Sequence, residues 1–162
     1  MSQFNRVYLK ASAGLLVIAA LLHLAAIALG ANAYAFLGAP AGLIALIGTG
    51  SPRPAASCVV IAGALILGAA FGFSGAGMGP RLPFLRTVLG LFATILVARG
   101  ILLPAAAAWQ PQVLGGICGR CQSLNGFVLL TSASCLFVGI AYALAALRSG
   151  ANGSSRPAPL RG

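Results

Sequence analysis

Few side chains in this sequence can do chemistry, and their spacing narrows it further. Cys118-Gly-Arg-Cys121 is a C-x-x-C motif. Thiols so spaced are a structural disulfide, an idle pair or a redox pair, and Arg120 between them, with a helix N-terminus following, favours a thiolate. The other cysteines are Cys58 and Cys135, and the single histidine is His23. Cys58, Cys118, Cys121 and His23 have the composition of a Cys₃His zinc site, but not a diagnostic spacing, so no metal is assigned. His23 and Arg99 both fall inside long apolar runs. An ionisable residue there marks a functional site by default.

The 162 residues include ten Lys/Arg and no Asp or Glu. That excludes the Ser-His-Asp triad, the Walker-B carboxylate, EF-hand calcium sites and two-carboxylate glycosidases. It also leaves Arg99 without a side-chain counter-ion. Its partners are then a lipid phosphate, backbone carbonyls, or an anionic or carbonyl-bearing ligand. His23 is either a hydrogen-bonded packing residue, a ligand-binding group or a proton relay. One histidine cannot make a bis-His haem site.

The elements that must position these groups are membrane helices. Hydrophobic residues make up 60% of the chain and charged ones 6%, far from a soluble domain with about a quarter charged. A span needs about 20 apolar residues, and the sequence predicts four, over 11–30, 56–75, 84–103 and 124–147. The first is too long for a signal-peptide core. Residues 31–50 carry Gly38, Pro40, Gly42, Gly48 and Gly50, which weaken a span. They are read as a short helix over about 40–49, interfacial or re-entrant, with Pro40 at its first position and Leu43, Ile44, Leu46 and Ile47 on one face. The fold class is therefore all-α integral membrane: a four-helix up-down bundle, residues 1–147, plus this short helix. Residues 148–162, basic and rich in Gly, Ser and Pro, read as a disordered cytoplasmic tail.

Charge sets the orientation. Placing both termini in the cytoplasm puts Arg6, Lys10, Arg81, Arg86, Arg148, Arg156 and Arg161 inside and Arg53, Arg99 and Arg120 outside. The dispersed charges fit anionic lipid headgroups at the cytoplasmic face and give no nucleic-acid signature. Small residues assign the inward faces: Ala64, Gly68 and Gly72 on the second span, Ser132, Cys135 and Gly139 on the fourth, and Ala19, His23, Ala26 and Gly30 on the first. The glycine-rich turn from Gly72 to Arg81 follows no strand and precedes no P-loop lysine, so it is a turn between spans. Trp109 and Tyr34 are expected at the outer interface, and Tyr8 and Tyr142 at the inner one. Asn125 either caps the fourth span or joins His23, Arg99 and Tyr34 in a polar pocket in the outer half.

Several strings carry a resemblance: His23, Tyr34-Ala-Phe-Leu-Gly-Ala-Pro40, Gly50-Ser51, Phe73-Ser-Gly-Ala-Gly77, Arg81-Leu-Pro-Phe-Leu-Arg86 and Arg99-Gly-Ile-Leu102. Across residues 20–104 the chain resembles a family of small four-span bacterial inner-membrane proteins with no established activity. The resemblance implies the bundle and the short helix after the first span. The C-x-x-C before the fourth span resembles, in arrangement, the vitamin K epoxide reductase type of membrane thiol oxidoreductase. That resemblance implies Cys118 and Cys121 as the active pair, Cys58 as a shuttle thiol and a quinone nearby. The family's loop cysteines come as a pair, whereas Cys58 stands alone. Two readings follow. The first is a multi-pass inner-membrane subunit, scaffold or lipid-interacting component without catalytic machinery or cofactor, partnered by another membrane protein or its own copies. The second is a periplasm-facing thiol–disulfide oxidoreductase.

Overall fold

Long runs of Ala, Leu, Ile and Val satisfy their backbone groups internally, which is what a bilayer demands. In the computed structural model, which describes residues 3–80, 82–114 and 116–151, all regular structure is helical. Four helices are long and apolar enough to cross a membrane: α1 (Gln3–Leu29), α4 (Arg53–Gly75), α5 (Leu85–Trp109) and α7 (Gly126–Ala151). The chain is thus a multi-pass membrane protein. Three short helices lie between them: α2 (Ala31–Phe36), α3 (Ala41–Ile44) and α6 (Pro111–Leu114).

Two boundaries differ from the sequence expectation. The short helix expected over 40–49 is confined to α3 and followed by turns, and a further helix, α2, precedes it over Ala31–Phe36. Pro40 sits one residue before α3, in an extended conformation. Its carbonyl accepts from Leu43 and Ile44, so proline caps the helix instead of opening it. The third span does not stop at Leu103 but continues through Pro104 to Trp109. A proline lacks the N–H that would bond four residues back. Within a membrane helix one such loss is tolerated. Helix α7 runs on to Ala151; Arg81 and residues 152–162, including Arg156, Arg161 and most of the expected tail, lie outside the described residues.

Glycines set how closely the helices approach. A Cβ on Gly100 would lie 2.6 Å from Leu136 Cγ, and one on Gly139 would lie 2.8 Å from Val97 Cγ2. Bare backbone at both positions seats α7 on α5. On α4, a Cβ at Gly68 would meet Phe92 of α5 and Leu16 of α1, and one at Gly72 would meet Tyr142 and Ala13. Lipid offers no hydrophobic reason for helices to associate, so such close contact supplies the attraction. Of the small residues expected to face inward, Gly68, Gly72, Ser132 and Gly139 are buried and Ala64 is exposed.

The contacts run antiparallel: Leu9 beside Gly75, Leu16 beside Gly68, and Leu85 and Leu89 also beside Gly75. The start of α1, end of α4, start of α5 and end of α7 therefore share one end. There Leu9, Ala13, Leu16, Leu89, Ala93, Val138 and Tyr142 form a single four-helix core. Tyr142 is fully buried, not interfacial, and its hydroxyl donates to the Gly68 carbonyl at 2.8 Å. Ser74 Oγ donates to Pro80 O and accepts from the Leu82 amide, fixing the turn between α4 and α5. At the opposite end the core divides in two. One cluster joins α1 and α4 with α2 and α3 around Tyr34 and Cys58. The other joins α5, α6 and α7 around Cys121 and Val128.

Candidate functional site

The C-x-x-C lies at this divided end, in the loop between α6 and α7. Cys118 and Cys121 are joined in a disulfide, with their Cα atoms 5.3 Å apart. Local bonds shape the loop: Cys118 N–H donates to Leu114 O, and Cys121 N–H to Cys118 O. Asn125 caps α7, accepting from the Val128 amide at 3.0 Å through Oδ1 while its Nδ2 donates to Arg120 O at 2.8 Å. The capping alternative for Asn125 is thus the one the structure shows.

The loop is docked on the other half of the molecule. Gly119 N–H donates to Gly38 O at 3.1 Å. Gly38 has φ +82°, and a Cβ there would lie 3.1 Å from Cys118 Sγ and 3.0 Å from the Phe127 ring. Only a glycine meets both the left-handed backbone and the missing space. Gly119 is equally tight, since a Cβ there would lie 2.8 Å from Ala39 O. Arg120 donates to Phe36 O at 3.3 Å, and its guanidinium stands 5.7 Å from the Phe36 ring and 5.1 Å from the Phe127 ring. The disulfide loop therefore clasps the Phe36–Pro40 stretch. Nothing local in the sequence marks this contact, because its two sides lie some eighty residues apart; the one signal was glycine at 38 and 119.

The other expected site residues are dispersed. Cys58 is a buried free thiol packed with Tyr34 and Ala26, in a cluster that Leu37 and Ala39 border. Tyr34 is 4% exposed, so it is a packing residue and not an interfacial anchor. Burial, with the Cys58 thiol against it, pushes its phenol up to about 12, so it stays neutral. Trp109 is exposed at this end, at 82%. His23 is half-buried on α1, and its Nδ1–H donates to Ala19 O at 2.8 Å. Arg99 is exposed on α5. Because α5 continues to Trp109, Arg99 lies ten residues from its end, about 15 Å along the axis, and so much deeper than the sequence suggested. Cys135 is a half-buried free thiol on α7.

Cys58 and the disulfide lie in separate core clusters, and neither bonded sulfur offers a thiolate to a metal. Among the described residues, no three His, Cys, Asp or Glu side chains are grouped as metal ligands. Comparison with protein-family models, with curated proteins and with solved structures finds no match to this chain.

Proposed function

We propose that this protein is a non-catalytic component of a bacterial inner membrane, acting as a subunit, scaffold or lipid-interacting bundle. The seat of the disulfide carries this reading. Cys121 has no exposed surface, Cys118 Sγ faces the Gly38 backbone, and Arg120 is committed to Phe36 and Phe127. Thiol–disulfide exchange needs a sulfur open to an incoming thiolate. A catalytic pair also needs a second redox group, and Cys58 is enclosed with Tyr34 instead. A disulfide with Cys121 buried and Cys118 half-buried, closing a loop that docks on the Phe36–Pro40 stretch, fits a structural brace of that loop.

The orientation we favour has both termini in the cytoplasm. Arg6, Lys10, Arg86 and Arg148 are exposed at the four-helix end, and Arg53 and Arg120 lie at the clasped end. That asymmetry matches the positive-inside rule, and a disulfide at the clasped end fits an oxidising compartment. The exposed basic set suits anionic headgroups of the cytoplasmic leaflet.

Thiol trapping in living cells tests the proposal. The expected result is a Cys118–Cys121 pair oxidised throughout growth, with no mixed disulfide when Cys121 is changed to Ser. Cycling of the pair, or mixed disulfides accumulating in Cys121→Ser, would overturn it in favour of a thiol–disulfide oxidoreductase coupled to a membrane quinone.

A further inference from the structure

Helix α1 ends where Gly30 takes a left-handed φ of +75° and the chain turns into α2. Glycine supplies that conformation without strain. On α1, Leu22, Ala25 and Leu29 follow the i, i+3, i+7 spacing of one helix face. The short side chain of Ala25 leaves a hollow between the two leucines. Ala33 and Phe36 of α2 form the facing wall, with Asn32 as the polar residue of the lining. Between them lies a groove of about 490 Å³, within the range of about 300–1,000 Å³ typical of ligand sites. Leu22 and Leu29 are exposed on a membrane-crossing helix, so the groove opens to the bilayer. From Leu29 to Leu22 it descends about 10 Å along α1.

A cation stands at its outer end. Phe36 lines the groove, and Arg120 donates to the Phe36 carbonyl at 3.3 Å with its guanidinium 5.7 Å from the Phe36 ring. The Phe127 ring lies 5.1 Å from the same guanidinium. These contacts fix the group in place and use one of its several N–H donors. Arg120 is exposed, and none of its contacts among the described residues is anionic. The chain has no Asp or Glu. A second copy therefore brings no side-chain counter-charge, and an ammonium headgroup would meet no carboxylate. The groove is also far shorter than the ~30 Å hydrocarbon core, so it suits part of an acyl chain and not a spanning helix. A lipid supplies both halves of the match, a chain for the apolar walls and a phosphate for the cation.

We propose that this groove binds an anionic glycerophospholipid of the leaflet at the clasped end, one acyl chain lying along Leu22, Ala25 and Leu29 and the phosphate resting on Arg120. The guanidinium fork gives the phosphate charge-assisted hydrogen bonds. Asn32, exposed at the same end, offers its amide N–H to an ester carbonyl. The proposal rests on the reading of the protein as a lipid-interacting component and gives that reading a lipid class and a site.

The test uses the intact protein in nanodiscs of mixed phosphatidylglycerol and phosphatidylcholine. Phosphatidylglycerol carrying a diazirine in one acyl chain should, on photolysis, label the peptide that contains Leu22, Ala25 and Leu29. Native mass spectrometry should find phosphatidylglycerol retained in preference to phosphatidylcholine, and added inorganic phosphate should not displace it. Ala25→Leu, at an exposed position, fills the hollow away from the buried face of α1 and should abolish both labelling and retention. Arg120→Gln should weaken the preference about fivefold, the scale of one interfacial arginine on an anionic lipid. Arg120→Lys keeps the charge without the guanidinium plane and should keep part of the preference. Arg86→Gln, altering a cation at the other end, should change nothing. Labelling spread evenly over the four spans, or unchanged by Ala25→Leu, would overturn the proposal. So would an unchanged preference in Arg120→Gln, a loss in Arg120→Lys as large as in Arg120→Gln, or full displacement by inorganic phosphate. A dimer that Ala25→Leu dissociates would give the groove to a second copy and overturn it too. In each of these cases a static disulfide would leave the non-catalytic reading standing, so the two fail separately.

Discussion

The two ends of the bundle are held together by different physics. At one end Leu9, Leu16, Leu89, Val138 and Tyr142 interlock around bare glycine backbone, and all four long helices share one core. At the other end the helices pair off, and the pairs are joined by a disulfide loop laid against Gly38. Close packing is distributed, so no single contact at the first end is separable from the rest. The clasp is local: one backbone hydrogen bond, the Arg120 bond to Phe36 O and its cation between two rings, all made by a loop that the disulfide closes on itself. One end fixes the fold through shared packing, and the other holds the two helix pairs together through the docked loop.

The largest expected effect is at the packed end. Gly72→Val places a branched side chain where Tyr142 and Ala13 already touch. It should destabilise the whole bundle by about 3 kcal/mol, the upper range for overpacking, seen as a single shifted unfolding transition in mixed micelles. Gly38→Val should come next, at about 2 kcal/mol, from left-handed backbone strain and the clash with Phe127 and Cys118. Its effect should stay at the clasped end. Hydrogen exchange would then quicken over α2, α3 and the loop before α7 but not near Leu9 or Tyr142. If Gly38→Val loosens both ends alike, the division between them fails. The smallest effect is Asn125→Ala, about 1 kcal/mol from the lost helix cap, with faster exchange confined to the first turn of α7.

What was legible in the sequence follows the range of the forces involved. The four spans and their inward glycines come from local runs of apolar and small residues, and Gly68, Gly72, Ser132 and Gly139 are buried as expected. The depth of Arg99 was misread because Pro104 resembles a helix end, whereas the bilayer keeps the helix going to Trp109. Tyr34 and Tyr142 were misplaced because an aromatic near the end of a span has the same local pattern whether it anchors at the interface or packs inward. Burial against Cys58 in one case, and the Gly68 carbonyl in the other, decides between them. The C-x-x-C was visible at once, but its docking on Gly38 depends on a pairing across the whole chain that no local pattern encodes.

The claim that the disulfide clasps one end while packing fixes the other is tested most directly by distance measurement. Spin labels carried on unnatural amino acids at Asn32 and Gln112 report the clasped end, and labels at Lys10 and Thr87 report the packed end; all four positions are exposed. On reduction of Cys118–Cys121, the Asn32–Gln112 distance should lengthen and broaden while the Lys10–Thr87 distance stays fixed. No change at Asn32–Gln112, or equal broadening of both, would contradict the account.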